Sequence, residues 1–160
     1  MERTFKSPLI DVAHLAVALL WLGLLLGVCF IATPVKFSAG SLSLPVALDV
    51  GRVTFALFNT IEWGAFTLLV VAVVFSGPRR FAAIGCVLLG SILIAQTVWL
   101  LPVLDDRVTL IIAGTVPEGA PWHIVYIAAD VAKAALLAAM GWSQATSLSR
   151  AISKARSVKY

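Results

Sequence analysis

The sequence predicts an all-α integral membrane protein: a four-helix antiparallel bundle formed by residues 1 to 160 as one membrane domain. Three observations predict it. Of the 160 residues 61% are hydrophobic and only 12% charged, with a mean hydropathy of +1.01, too apolar for a soluble domain of this size. Four apolar stretches, about 9 to 32, 53 to 76, 80 to 101 and 122 to 142, each reach the roughly 20 helical residues needed to cross a bilayer core of about 30 Å. The third observation is charge placement. With an even number of spans, both termini and the second loop share one side, which carries Arg3, Lys6, Arg79, Arg80, Arg150, Lys154, Arg156 and Lys159. The other side carries only Lys36, Arg52 and Arg107, together with Asp49, Asp105, Asp106 and Glu118. The positive-inside rule therefore places both termini in the cytoplasm.

The first apolar stretch follows basic residues, as a secretory signal would, but it outruns the 7 to 15 apolar residues of a signal. It reads as a retained helix, closed by Pro34. Gly23 and Gly27 in it form a Gly-x-x-x-Gly association motif of low specificity, and Gly85, Gly90 and Gly141 offer further close helix contacts. A connection over 33 to 52 leads to the second helix, which carries Arg52, Phe55, Asn59, Glu62 and Phe66 on one face. Ser76-Gly77-Pro78-Arg79-Arg80 is a tight turn into the third helix, making the two antiparallel neighbours. The third helix carries Gln96 and Trp99 on one side and is expected to close at Pro102. Val108 to Ala113 then suggests a short surface helix before the breaker-rich segment from Gly114 to Pro121. After the fourth helix, a basic tail from Ser143 sets Leu148, Ile152 and Ala155 on one side. That pattern fits a lipid-surface anchor or a plain tail, with a partner-docking helix as the alternative. The net charge of +4 then faces anionic headgroups and implies no nucleic acid.

The fourth helix carries the most informative pattern. His123, Tyr126, Asp130 and Lys133 are spaced three, four and three apart, which returns each to the same helix face. A charged side chain in lipid costs roughly 2.5 to 3.5 kcal/mol on insertion scales, so this stripe should face protein or a wet cavity. Counting about 1.5 Å per residue puts Glu62, Asp130 and Gln96 at similar depth, with Lys133 near the midplane. One reading is a packing device in which Lys133 pairs with either acid and Gln96 bridges them. The other is functional, because two carboxylates against one ammonium leave a charge for a proton, a cation or a cationic ligand to remove.

Other chemistry finds less support. His14, beside Asp11, and His123 fall at opposite ends of the bundle, which excludes a bis-histidine haem between them. A single axial His123 or a carboxylate-rich cation site remains open, so metal and cofactor are undetermined. Cys29 and Cys86 lie at different depths and read as packing residues rather than a disulfide. No motif for covalent catalysis occurs. Pro34 precedes Glu62 by 28 residues and Pro102 precedes Asp130 by 28, which fits either a parallel internal repeat or coincidence.

Trp21-Leu22-Gly23, the run from Phe30 to Phe37, Phe55-Ala56-Leu57-Phe58, Trp99-Leu100-Leu101-Pro102 and His123-x-x-Tyr126 together resemble a family of small four-helix membrane proteins. That family is catalogued under a domain of unknown function and is similar to the eukaryotic transmembrane protein 205. The resemblance covers about residues 15 to 140, and Asp130 and Lys133 match its bacterial pattern. It implies a four-helix fold in a bacterial inner membrane and supplies no activity. Two functions follow from the residues: a membrane protein that binds or moves a small solute, cation or proton at Glu62, Asn59, Gln96, His123, Tyr126, Asp130 and Lys133, or a non-catalytic accessory or assembly subunit of a larger complex. An integral-membrane enzyme or cofactor binder is the third. Four helices leave little room for alternating access, so a transporter would be a homo-oligomer.

Overall fold

In the computed structural model the described residues are 8–77, 79–115, 119 and 121–157. Arg3, Lys6, Pro78, Glu118 and Lys159, which entered the sequence reading, lie outside them. Four long apolar helical spans, Leu9–Lys36, Leu44–Phe75, Arg80–Ile112 and Trp122–Ser157, make this a multi-pass membrane protein. Each packs against its neighbours in the chain, and the first also packs against the last, which closes a four-helix ring. One end of the ring, the turn end, carries the start of the first span and the Gly77 turn. The other, the loop end, carries the two longer connections.

The spans are longer than hydropathy alone indicates. The first is α1 (Pro8–Leu25), a widened π turn over Leu26–Ala32, and α2 (Thr33–Lys36). The third is α4 (Arg80–Ala95), a second π turn over Gln96–Leu100, and α5 (Leu101–Ile112). Neither Pro34 nor Pro102 ends its helix, contrary to expectation. A proline clashes with the carbonyl four residues back, and a turn with bonds to the fifth residue back relieves it. Thr33 N–H bonds to Val28 O and Leu101 N–H to Gln96 O, each from the residue just before the proline. The Val108 to Ala113 segment is therefore the end of the third span rather than a separate surface helix. It stops at Gly114, whose φ of 81° lets Thr115 N–H reach back to Leu110 O at 2.9 Å.

The second span is a single helix, α3 (Leu44–Phe75), that begins well before residue 53. Ser43 is its extended N-cap, a proline occupies the first turn, and Asp49 pairs with Arg52 at 2.6 Å along its surface. Gly77, with φ 82°, ends it. The fourth span, α6 (Trp122–Ser157), runs 36 residues and about 54 Å, so the basic segment after Ser143 continues the helix instead of leaving it. Its last turns are exposed.

The core holds Trp21, Leu25, Phe58, Leu69, Leu89, Leu137 and Met140, while Leu20, Ile31, Leu57, Leu68, Val87 and Ile124 point outward. Gly85 and Gly90 admit side chains from other helices: an added Cβ would meet Met140 Sδ at 2.5 Å and Phe66 Cζ at 2.8 Å, respectively. Gly23 and Gly27 have nothing within 4 Å, so their motif makes no close contact within the chain.

Burial repeats along the chain at the 68-residue offset that relates Pro34 to Pro102. His14, Ala18, Trp21 and Leu25 are buried, and so are Ala82, Cys86, Leu89 and Leu93. Phe58, Glu62, Leu69, Ala72 and Ser76 are matched in the same way by Tyr126, Asp130, Leu137, Met140 and Gln144. The two π turns fall at matching places, a correspondence that a parallel internal repeat would give, although buried Ala47, Gly51 and Asn59 fall opposite exposed Thr115, Gly119 and Ile127.

Candidate functional site

Glu62 and Lys133 are fully buried, Asp130 is 2% exposed and Gln96 0%. The middle of α3 and the first third of α6 bring the charges together, and Gln96, at the start of the π turn of the third span, reaches them. Lys133 Nζ donates to Glu62 Oε1 at 2.6 Å and Oε2 at 2.8 Å, and lies 3.0 Å from Asp130 Oδ1. Lys133 thus gives two hydrogen bonds to Glu62 and meets Asp130 as an ion pair. Trp21 Nε1 donates to Glu62 Oε1 at 3.0 Å, and Gln96 Nε2 donates to Asp130 Oδ1 at 2.9 Å. Glu62 is enclosed by an ammonium and an indole. Asp130 shares the ammonium and lines a cavity together with Cys29. With both acids ionised, the cluster carries one uncompensated negative charge.

A cavity of about 320 Å³ reaches this cluster from the loop end, lined by Cys29, Thr33, Pro34, Phe55, His123, Tyr126 and Asp130. Neither Glu62 nor Lys133 lines it. Tyr126 is buried edge-on to Phe55 at 5.3 Å, and its hydroxyl has no hydrogen-bond partner among the described residues. His123 is exposed and lines both this cavity and a larger one of about 790 Å³. It stands two helical turns from Asp130 and contributes no contact to the charge cluster.

Asn59 also stays apart from the charges. Its Nδ2 donates to Thr97 Oγ1 at 3.0 Å, where Trp63 Nε1 also donates at 3.0 Å, while Thr97 gives its own proton to Leu93 O at 2.7 Å. That hydroxyl is saturated, so the group ties α3 to the third span as a structural node. Sequence reasoning took Cys29 for a packing residue, gave Trp21 no part in the site and passed over Thr97, because each fits an apolar helix. Only Trp21 left a trace, since it shares a helix stripe with buried Ala18 and Leu25.

At the turn end Asp11 pairs with Arg79 at 3.1 Å, and Gln144 Nε2 donates to Asp11 O at 3.1 Å and Oδ1 at 3.0 Å. Arg79 also donates to Gln144 Oε1. Asp11 therefore serves the bundle closure rather than His14, whose two ring nitrogens are buried without a hydrogen bond among the described residues. No group of three or more His, Cys, Asp or Glu side chains gathers as a metal site among the described residues.

No family model, no curated protein and no solved structure matches this chain. The class is accordingly set by fold alone: a four-span helical membrane protein with a buried polar cluster.

Proposed function

We propose that the protein takes up a proton, a small cation or a small solute at Asp130, with the Glu62–Lys133 pair as the fixed counter-charge. One observation carries the reading: Asp130 lines the cavity, while its two charged neighbours are sealed behind it. A carboxylate that shares one ammonium with a second carboxylate is the natural place for the neutralising species. Lys133 cannot neutralise both acids, and Gln96 supplies only a dipole. Tyr126 supplies a hydroxyl on the entry path, and His123 stands at the mouth as the first titratable group that an entering proton or solute meets.

The chain lies, in this reading, in a bacterial inner membrane with both termini cytoplasmic, so the cavity opens to the outer side. Membership of the family similar to transmembrane protein 205 is part of the same proposal. The competing reading, a non-catalytic accessory or assembly subunit, draws on the closed half of the cluster, because the Glu62, Lys133 and Trp21 contacts alone hold three helices in order.

Infrared difference spectroscopy on protein in lipid vesicles tests this. A pH step or an added cation should perturb a carboxyl band that Asp130→Asn removes while the fold is kept. A carboxyl band unresponsive to protons and cations alike would leave the cluster a packing device.

A further inference from the structure

The larger cavity, about 790 Å³, lies at the loop end between α2, the first turns of α3, and α5. Lys36, Arg52 and Arg107 line it with a single carboxylate, Asp105. Arg52 is engaged by Asp49 at 2.6 Å and by Asp105 at 3.4 Å. Lys36 has no carboxylate within ion-pair distance among the described residues. Its ammonium is turned inward, 5.0 Å from the centre of the Phe37 ring and 5.9 Å from that of Phe55. It occupies the space that the absent side chain of Gly51 leaves open, since a Cβ at Gly51 would collide with Lys36 Nζ.

A lysine that only anchors a helix end extends into the headgroup layer. Lys36 does the reverse. It is half-buried over two aromatic faces, a placement that weakens its hydration without supplying a counter-ion. Leu44, Leu48, Leu101, Leu104, Val108 and Ile111 form an apolar wall, and Thr33, Asn59, Thr97 and His123 add neutral polar edges to the lining. The volume falls within the range of about 300 to 1,000 Å³ usual for small-molecule sites. A small cation is disfavoured by the charge of the lining, and a bare inorganic anion leaves the apolar wall unfilled.

We propose that this cavity binds an anionic amphiphile, an alkyl chain with a single phosphate or carboxylate head, with Lys36 on the head group and the leucine-rich wall on the chain. It is a separate site from Asp130, although the two cavities share Thr33, Phe37, Phe55 and His123.

The test is calorimetric titration of the full chain in a non-ionic detergent with dodecyl phosphate, dodecyltrimethylammonium and inorganic phosphate. Dodecyl phosphate should bind, and Lys36→Met should weaken it about tenfold, the usual scale of one lost charge-assisted contact. Gly51→Ala, which leaves the lysine present but displaces its ammonium, should weaken binding in the same direction. The cationic amphiphile should not bind, and inorganic phosphate should bind more weakly than dodecyl phosphate. Equal binding of the two amphiphiles, equal binding of inorganic and dodecyl phosphate, or unchanged affinity in both variants would overturn the proposal. Lys36→Met should keep the carboxyl band assigned to Asp130, so failure at this site is distinguishable from failure at the other.

Discussion

Replacing Lys133 by Ala removes the one cation from a pair of carboxylates that has no access to bulk water on the Glu62 side. Breaking a buried ion pair by deleting one partner costs about 3 to 5 kcal/mol. The structure shows which acid is stranded. Glu62 accepts both lysine hydrogen bonds and would keep only the Trp21 N–H, whereas Asp130 would lose an ion-pair contact, keep Gln96 and face its cavity. A stranded Glu can escape by taking a proton, which at neutral pH limits the penalty to about 4 kcal/mol for a carboxyl of ordinary acidity. Lys133→Ala should therefore lose about 3 to 4 kcal/mol. Adding Glu62→Gln should recover about half of that or more, because the amide keeps the shape and still accepts from Trp21. Adding Asp130→Asn should recover less. The loss in Lys133→Ala should also shrink as pH falls, since the stranded acid then takes its proton at lower cost. Reversible unfolding in mixed detergent micelles reads all three variants. Equal stability for the single variant and the Glu62→Gln double would refute the pairing argument.

Tyr126→Phe should leave stability unchanged, because the hydroxyl has no partner, while Gln96→Leu should cost about 1 kcal/mol for the lost bond to Asp130; unfolding midpoints compare them. Gly90→Ala should destabilise by about 1 to 3 kcal/mol through the Phe66 ring, and Gly23→Ala, with open space around it, should not. Reporters fused to either terminus should read cytoplasmic; a signal from the opposite side at one end would break the even span count.

The four helices were legible because lipid imposes long apolar runs, and the charge stripe was legible because nothing else accounts for Asp130 and Lys133 among Ala, Val and Leu. Helix ends were not. Hydropathy reports where lipid contact stops, and α3 extends beyond that point with Asp49 and Arg52 on its surface. Proline read as a terminator at 34 and 102 because the alternative, a π turn, depends on backbone bonding that leaves no pattern in side-chain type. At the candidate site, helical spacing placed Tyr126, Asp130 and Lys133 together inside, yet the same spacing carried His123 along to an exposed cavity wall. Spacing defines a face, and it does not define how far along that face the bundle remains closed. Asn59 shares a face with Glu62 but is claimed by Thr97, a pairing between helices that intrahelical periodicity does not reveal.

The 68-residue offset relates the polar residues of the two halves. Asp11 and Arg79 are equivalent positions in the two halves, and they pair with each other; Glu62 and Asp130 are equivalent too, and both reach Lys133. The cavities obey the same relation. Cys29, Thr33, Pro34 and His123 on the smaller one correspond to Thr97, Leu101 and Pro102 on the larger and to Phe55, which lines both, so each lies beside the π turn of one half. A fully symmetric pair of carboxylates would carry two negative charges between equivalent cavities. Two departures from symmetry change that: Lys133 is buried where the first half has half-buried Ala65, and Gln96 is buried where it has half-buried Val28. The lysine closes over Glu62 with two hydrogen bonds and leaves Asp130 an ion-pair contact alone, so the corresponding acids acquire different access. The acids correspond at that offset, and the unmatched Lys133, hydrogen-bonded to Glu62 alone, goes with only Asp130 meeting a cavity.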